Sequence, residues 1–269
     1  MSINQPALIE SPNLSHAWAK AFIHVYDQTP ATRAPLLLSI SGFSTPLPTE
    51  DQEIRSSLDE TLCRFGMNTS AVSGMMIFPY DIWCRRGRQS CDDFSKFCVN
   101  RLLPRLKAQD RRNQYGTYFE RMMSYSGSRH GNLHTTHQLS FVIDILKNTT
   151  KRKMRESALQ LACFDPAKDH TGQPVRGFPC LQQVGISHDI DGRFGINAFY
   201  PSQYMFDRAY GNYLGLCHLG AFIAHETKLT FARLNCFIGD PRRSDSTVAK
   251  RDLDALANSI RDHLSVLPS

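Results

Sequence analysis

No apolar run in this 269-residue chain approaches the roughly 18–20 residues needed to cross a bilayer. Its start, Met1-Ser2-Ile3-Asn4-Gln5-Pro6, lacks the basic-then-apolar pattern of a secretory signal, so a cytoplasmic location is expected. None of the eight cysteines forms a C-x-x-C pair. Cys84, Cys91 and Cys98 recur every seven residues, which suits neither a zinc ribbon nor a redox motif. Reduced, mostly buried thiols are therefore expected. Internal repeats, Gly/Ser linkers and low-complexity tracts are also missing, and Pro and Gly are spread as turn markers. One domain over 1–269 follows.

What is present is ordinary for a globular chain: 41% hydrophobic and 21% charged residues, enough to bury a substantial core. A net charge of +6 favours anionic partners, phosphates above all. The basic clusters Arg85-Arg86-Gly87-Arg88, Arg111-Arg112 and Lys151-Arg152-Lys153-Met154-Arg155 lack aromatic interleaving. Nucleic acid is the weaker reading of that charge, and a membrane partner is not expected.

Apolar spacing predicts helices after Ser11-Pro12-Asn13, over 50–64, over 92–107 and from Gln138 to Leu146. Leu36–Ile40 and Ser157–Phe164 read as strands. Gln183–Ile186 and Phe194–Phe199 bracket a hairpin turn at His188–Gly192. Tyr204–His225 reads as a helix whose Gly211, Gly215 and Gly220 either weaken it or let another element approach. Lys228–Phe237 reads as a buried strand. Helices and strands alternate without a βαβ rhythm, which points to an α+β fold.

The segment Arg176-Gly177-Phe178-Pro179-Cys180, with Asn212 about thirty residues on, places a cysteine after a proline and an amide downstream. Other blocks keep order and spacing with it: Tyr115-Gly116-Thr117-Tyr118-Phe119, His137-Gln138-Leu139-Ser140-Phe141-Val142, Arg152-Lys153, and Ser202. Together, over about residues 8–240, they resemble the thymidylate synthase superfamily, which includes the deoxycytidylate hydroxymethylases. The resemblance implies a large mixed β-sheet flanked by helices and a sheet-to-sheet homodimer. It implies Cys180 as the nucleophile that adds to C6 of a pyrimidine nucleotide or nucleoside, with 5,10-methylenetetrahydrofolate as one-carbon donor. It further implies Asn212 as reader of the ring, Ser202 as a phosphate ligand, and Arg152 reaching a partner subunit's phosphate. Arg155 is a second basic candidate beside it.

The departures from that pattern bear on substrate. Pro201 stands where a phosphate-binding Arg is expected and Leu181 where a His follows the nucleophile; Tyr204, where an Asp is expected, is a substrate-binding candidate that would change which base edge is read or close the pocket. Phe237 and Gly239 replace a His-x-Tyr pair, and the family's Glu has no counterpart in Ser70–Trp83, where Asp81 is the one carboxylate. Arg176 is the candidate replacement for the missing Arg, since a guanidinium fork suits phosphate. Gln182 and Gln183 are candidates for amide contacts to a base, one of them facing outward; Tyr80 and Asp81 are candidates for acid–base work. Each has a plainer reading: a buried thiol after a turn for Cys180, helix caps for Asn212 and Ser202, exposed basic turns for Arg152, Arg155 and Arg176.

His130, His134 and His137 have a spacing that suits one helical face and a metal, although Gly127, Gly131 and Asn132 favour a loop. The family implied by the resemblance uses no metal. The functional expectation is C5 methylation or hydroxymethylation of a pyrimidine. The alternative is a nucleotide-binding or interaction module of the same fold without turnover.

Overall fold

Asn13 marks the first change of backbone direction: its side-chain oxygen accepts the His16 N–H at 3.1 Å and caps α1 (Leu14–Asp27), which follows strand β1 (Ala7–Ser11). Leu14, Ala17, Trp18, Ala21, Phe22 and Val25 form the buried stripe of α1, at the spacing of one helical face. The computed structural model describes residues 5–29, 32–43, 45–110, 113–114, 116–129, 132–148, 155–170, 172, 180–244 and 248–266.

After β2 (Leu36–Ile40), Asp51 caps α2 (Gln52–Arg64) by accepting the Glu53 and Ile54 N–H groups. Short helices α3 (Ser70–Met75) and α4 (Tyr80–Arg85) follow. The helix expected over 92–107 is α5 (Cys91–Phe97) and α6 (Leu103–Gln109), joined by a π-helical turn at Cys98–Leu102. Next come α7 (Tyr118–Met123), the hairpin β3 (Tyr125–Arg129) and β4 (Asn132–Thr136), and α8 (Gln138–Lys147).

The strand expected over 157–164 shrinks to β5 (Gln160–Ala162). A 3₁₀ turn occupies Glu156–Ala158 before it, and Asp165 starts α9 (Pro166–Asp169) after it. Strands β6 (Gln183–His188) and β7 (Arg193–Tyr204) form the expected hairpin. A π-helical turn, Met205–Ala209, leads into α10 (Tyr210–Thr227), then β8 (Thr230–Arg242) and α11 (Lys250–Ser265).

One six-stranded mixed sheet, in the order β1-β2-β8-β7-β6-β5, organises this single α+β domain. Its β1/β2 and β7/β8 neighbours are parallel and the rest antiparallel. Helices α1 and α10 cover one face. Helix α10 is apolar on all sides because it is buried on nearly all of them.

The α10 glycines serve close packing. A Cβ on Gly215 would lie 2.5 Å from the Gly74 carbonyl oxygen of α3, and one on Gly220 would lie 2.5 Å from the Phe231 ring. Gly215→Ala would gain helix propensity of about 1 kcal/mol. The clash is with backbone, however, and should cost about 1–3 kcal/mol more than that gain. A lower urea midpoint with unchanged slope is the expected result; an unchanged midpoint would show that α3 yields freely.

The opposite face of the sheet is not covered by any described helix. Across it runs a registered row: Leu8, Leu37, Phe237 and Phe199, exposed by 60%, 37%, 41% and 39%. Phe199 and Phe237 stack at 5.8 Å. Beside that row Ser39, Asn235, Asn197 and Ser187 hydrogen-bond in series at 2.8, 2.8 and 3.2 Å.

Helix α11 seats Leu253, Leu256, Ala257 and Ile260 in the core and is clasped at both ends. Tyr26 donates to Asp254, and Arg261 pairs with Asp27. His263 Nε2 meets Asp51 Oδ2 at 2.7 Å, its Nδ1 meets Glu53 at 2.9 Å, and His16 reaches the same Asp51 oxygen at 3.1 Å. Burial opposes charge on Asp51, but the His263 and His16 hydrogen bonds override it and hold its pKa at about 2. The Asp51 hydrogen bond raises the His263 pKa above its ordinary 6.5. A pKa raised by folding contributes stability that is complete below 6.5 and fades as pH climbs through the folded value. Stability should therefore fall with pH above 6.5, and His263→Ala should flatten that slope in urea titrations at a series of pH values. A slope that survives the substitution would assign it elsewhere.

Candidate functional site

Cys180 lies half-buried just before β6. Its backbone N–H donates to the Tyr118 hydroxyl at 3.1 Å, and the Leu181 N–H is directed at the same oxygen. Tyr118 is the first residue of α7, capped by Thr117. Burial first, then the neighbouring Cys180, pushes the Tyr118 phenol well above its ordinary range, so it remains a neutral hydroxyl.

The chain around Cys180 is held by a bulge. Gln183 pairs with Phe199 in the ladder, and the Gln182 N–H also donates to the Phe199 carbonyl at 3.0 Å. Two residues therefore face one, which bends the strand start and re-aims its side chains. Leu181 is fully buried, Gln182 half-buried and Gln183 exposed, where its amide donates to Gln160 at 2.6 Å. The outward member of the expected glutamine pair is Gln183. The Gln182 carbonyl accepts the Cys163 and Phe164 N–H groups at 2.8 and 3.1 Å.

Behind this bulge sits a buried ion pair. Arg121 spans Asp169 with contacts of 2.5 and 2.8 Å and donates to the Cys163 carbonyl at 2.7 Å. Burial disfavours the Arg121 charge, but the Asp169 hydrogen bond outweighs it and raises the pKa. Asp169 also accepts the Asp165 N–H at 2.8 Å.

Ser202 does not cap a helix. It lies half-buried in β7, in register with Asp240 of β8. Asp240 takes Arg33 at 3.0 Å and Arg242 at 2.7 Å, and Tyr204 stands opposite Arg242 in the ladder. Two guanidinium groups, one from β8 and one from the segment before β2, thus meet on Asp240, the ladder partner of Ser202. Nothing in the local sequence around Ser202 signals them; only the β7/β8 pairing does.

Asn212 does not cap α10 either, because a π-helical turn precedes the helix. It is 5% exposed. Arg155 is exposed at the turn into β5. Arg152, Arg176 and Pro179 lie outside the described residues.

Tyr80 of α4 stacks on His218 of α10 with ring centroids 4.6 Å apart. Burial lowers the His218 pKa to about 4, keeping it neutral, and burial followed by Cys84 raises that of Tyr80. Asp81 lies beside this pair, adding charge felt by both rings. The sequence pattern carried no sign of His218, since an isolated His on an apolar helix has no motif.

The histidine spacing that suited a helical face falls on strand β4 at His134 and on the residue before α8 at His137, whose Nδ1 meets the Met123 carbonyl at 2.9 Å. His130 lies outside the described residues. Among the described residues no group of three His, Cys, Asp or Glu is arranged to hold a metal. A cleft of about 320 Å³ between α5 and α8 is lined by Asp92, Lys96, Val99, Met123, His137 and Ser140. None of the residues singled out around Cys180 lines it. No described helix is long and apolar enough to cross a membrane.

Compared with known proteins, the chain matches no family model and no curated protein, so what the site does rests on its own residues.

Proposed function

We propose that this protein acts on a pyrimidine nucleotide or nucleoside through covalent addition of Cys180 to C6 of the ring, followed by one-carbon transfer to C5. The observation that carries the reading is the placement of Cys180. A half-buried thiol is fixed through its own backbone by Tyr118, at a bulged strand start beside β7, which carries Ser202. In the thiolate step a C–S bond forms at C6, and the C5–C6 π electrons move onto C5 and its conjugated carbonyl. C5 then becomes nucleophilic enough to take a one-carbon electrophile. Asn212 offers a buried amide to the ring; a phosphate at Ser202 would draw Arg33 and Arg242 away from Asp240, which holds both.

Methylenetetrahydrofolate enters as the donor expected from the family resemblance. Where the resemblance expects an Asp the chain has Tyr204, opposite Arg242 in the β7/β8 ladder. The substituted positions point away from deoxyuridylate and toward a modified or different pyrimidine. A homodimer through the uncovered sheet face is part of the proposal, supported by the registered row of exposed Leu and Phe side chains. Sedimentation as a monomer at micromolar concentration would remove it.

A module that binds nucleotide without turnover is the second reading. It is favoured by the state of the described carboxylates near Cys163: Asp169 is held by Arg121, and Asp165 caps α9. Mass spectrometry decides between them. Protein incubated with 5-fluoro-pyrimidine nucleotides and methylenetetrahydrofolate should gain the mass of nucleotide plus donor. Saturable binding with no adduct for any pyrimidine tested would favour the module.

A further inference from the structure

An acidic residue followed four positions later by a lysine is the order that pairs well on a helix, yet the contacts of Asp92 and Lys96 on α5 lie elsewhere. The carboxylate that Lys96 approaches is Asp93, at 3.9 Å, and both of those side chains are largely exposed. Asp92 instead bridges to α8, where the Ser140 hydroxyl donates to its Oδ1 at 3.0 Å. Asp92 and Lys96 both line the cleft of about 320 Å³ between the two helices.

The walls of that cleft are tied to each other. Asp92, Lys96 and Val99 recur at the spacing of one helical face, and the π-helical turn Cys98–Leu102 carries Val99. Met123, at the end of α7, is 2% exposed and is held from two sides. Its Sδ takes the Ser95 hydroxyl at 3.3 Å, and its carbonyl meets His137 Nδ1 at 2.9 Å. A carbonyl only accepts, so Nδ1 carries the proton, and Nε2 of the neutral ring is an acceptor.

This set of groups narrows the occupant. A simple anion would meet Asp92, a simple cation would meet Lys96, and a polyol would gain nothing from Val99 and Met123. A molecule with separated opposite charges and an apolar part uses all of them. The volume lies at the low end of ligand pockets, about 300–1,000 Å³, which suits something smaller than a nucleotide.

We propose that this cleft binds a free α-amino acid with an apolar side chain. The ammonium is received by Asp92, the Ser140 oxygen and His137 Nε2, the carboxylate by Lys96, and the side chain by Val99 and Met123. The cleft shares no lining residue with the surroundings of Cys180, so it stands or falls separately from the pyrimidine reading.

The full chain labelled with carbon-13 at its methionine methyl groups reports the cleft through Met123, whose NMR signal is the one lost in Met123→Leu. The probes are L-leucine and L-methionine, with isopentylamine and 4-methylpentanoate as leucine without its carboxylate or without its ammonium. Either amino acid should shift the Met123 signal saturably and bind about tenfold more tightly than both truncated compounds. Asp92→Asn should weaken amino-acid binding about tenfold and leave 4-methylpentanoate unchanged or tighter, since a like charge is removed. Lys96→Met should do the same to the amino acids and leave isopentylamine unchanged or tighter. Both positions are exposed. Should a variant lose its fold, seen as movement of all its methionine signals, the four probes on the unmodified chain still carry the test. No saturable shift with either amino acid overturns the proposal. So do equal affinities for amino acids and truncated compounds, or amino-acid binding that survives both substitutions. Cys180→Ala should bind the amino acids as the unmodified chain does; a loss there would move the response to Cys180 and remove the cleft.

Discussion

Cys180→Ala protein is expected to gain no mass with 5-fluoro-pyrimidine nucleotides and methylenetetrahydrofolate, while keeping the wild-type melting temperature. The loss should be complete, because no other thiol can take over. Burial pushes Cys91, Cys98 and Cys163 up to about 12. Cys217 and Cys236 are raised further by burial, so all five stay protonated and inert near neutral pH. Cys63 is exposed and Cys84 half-buried, but Cys63 sits at the end of α2 and Cys84 on α4, away from β6. Iodoacetamide at mildly alkaline pH should therefore label Cys63, Cys84 and Cys180, and the variant should lose only the last. An adduct that persists in Cys180→Ala, mapped to another cysteine, would end the nucleophile assignment.

Asp169→Ala is expected to produce the largest loss of stability. It leaves Arg121 buried with its charge uncompensated, which costs about 3–5 kcal/mol. For a domain of this size each kcal/mol lowers the melting temperature by about 2–4 °C. The damage should reach the site, because Arg121 holds the Cys163 carbonyl, and the Cys163 N–H holds the Gln182 carbonyl two residues from Cys180. Iodoacetamide reactivity of Cys180 should change along with stability. Arg121→Met with Asp169→Leu removes both charges and should recover most of the loss. A neutral single variant would show that water already reaches the pair.

Much of the sheet was legible in the residues. Leu36–Ile40 and the β6–β7 hairpin follow from short apolar runs and turn chemistry, and of the two readings open for the α10 glycines the close approach of another element is the one found. The shortfall at β5 has a local cause. Asp165-Pro166 starts a helix rather than merely ending a strand, and Glu156–Ala158 winds into a 3₁₀ turn. Strand β1 was missed because its charged and polar residues, Glu10 and Ser11, dilute the pattern at a sheet edge. Helix α11 was missed because its apolar stripe is only four residues wide in a charged segment.

The site was legible only where its residues are consecutive. Cys180 stands out next to a proline, but the Tyr118 hydroxyl that fixes Cys180 comes from 62 residues upstream. Arg33 and Asp240 are 207 residues apart and meet only through the sheet. No spacing rule connects such pairs; the β2–β8–β7 order does.

That order also bears on how the chain is made. Residues 36–40 hydrogen-bond to residues 234–238, so β1 and β2 have no route into the main sheet until β8 has been synthesised. On a ribosome, β7 would wait with an unpaired edge and β2 with another, both rich in apolar side chains. Chains truncated before Thr230 should be aggregation-prone rather than partly folded, and cooperativity should appear only once β8 is present.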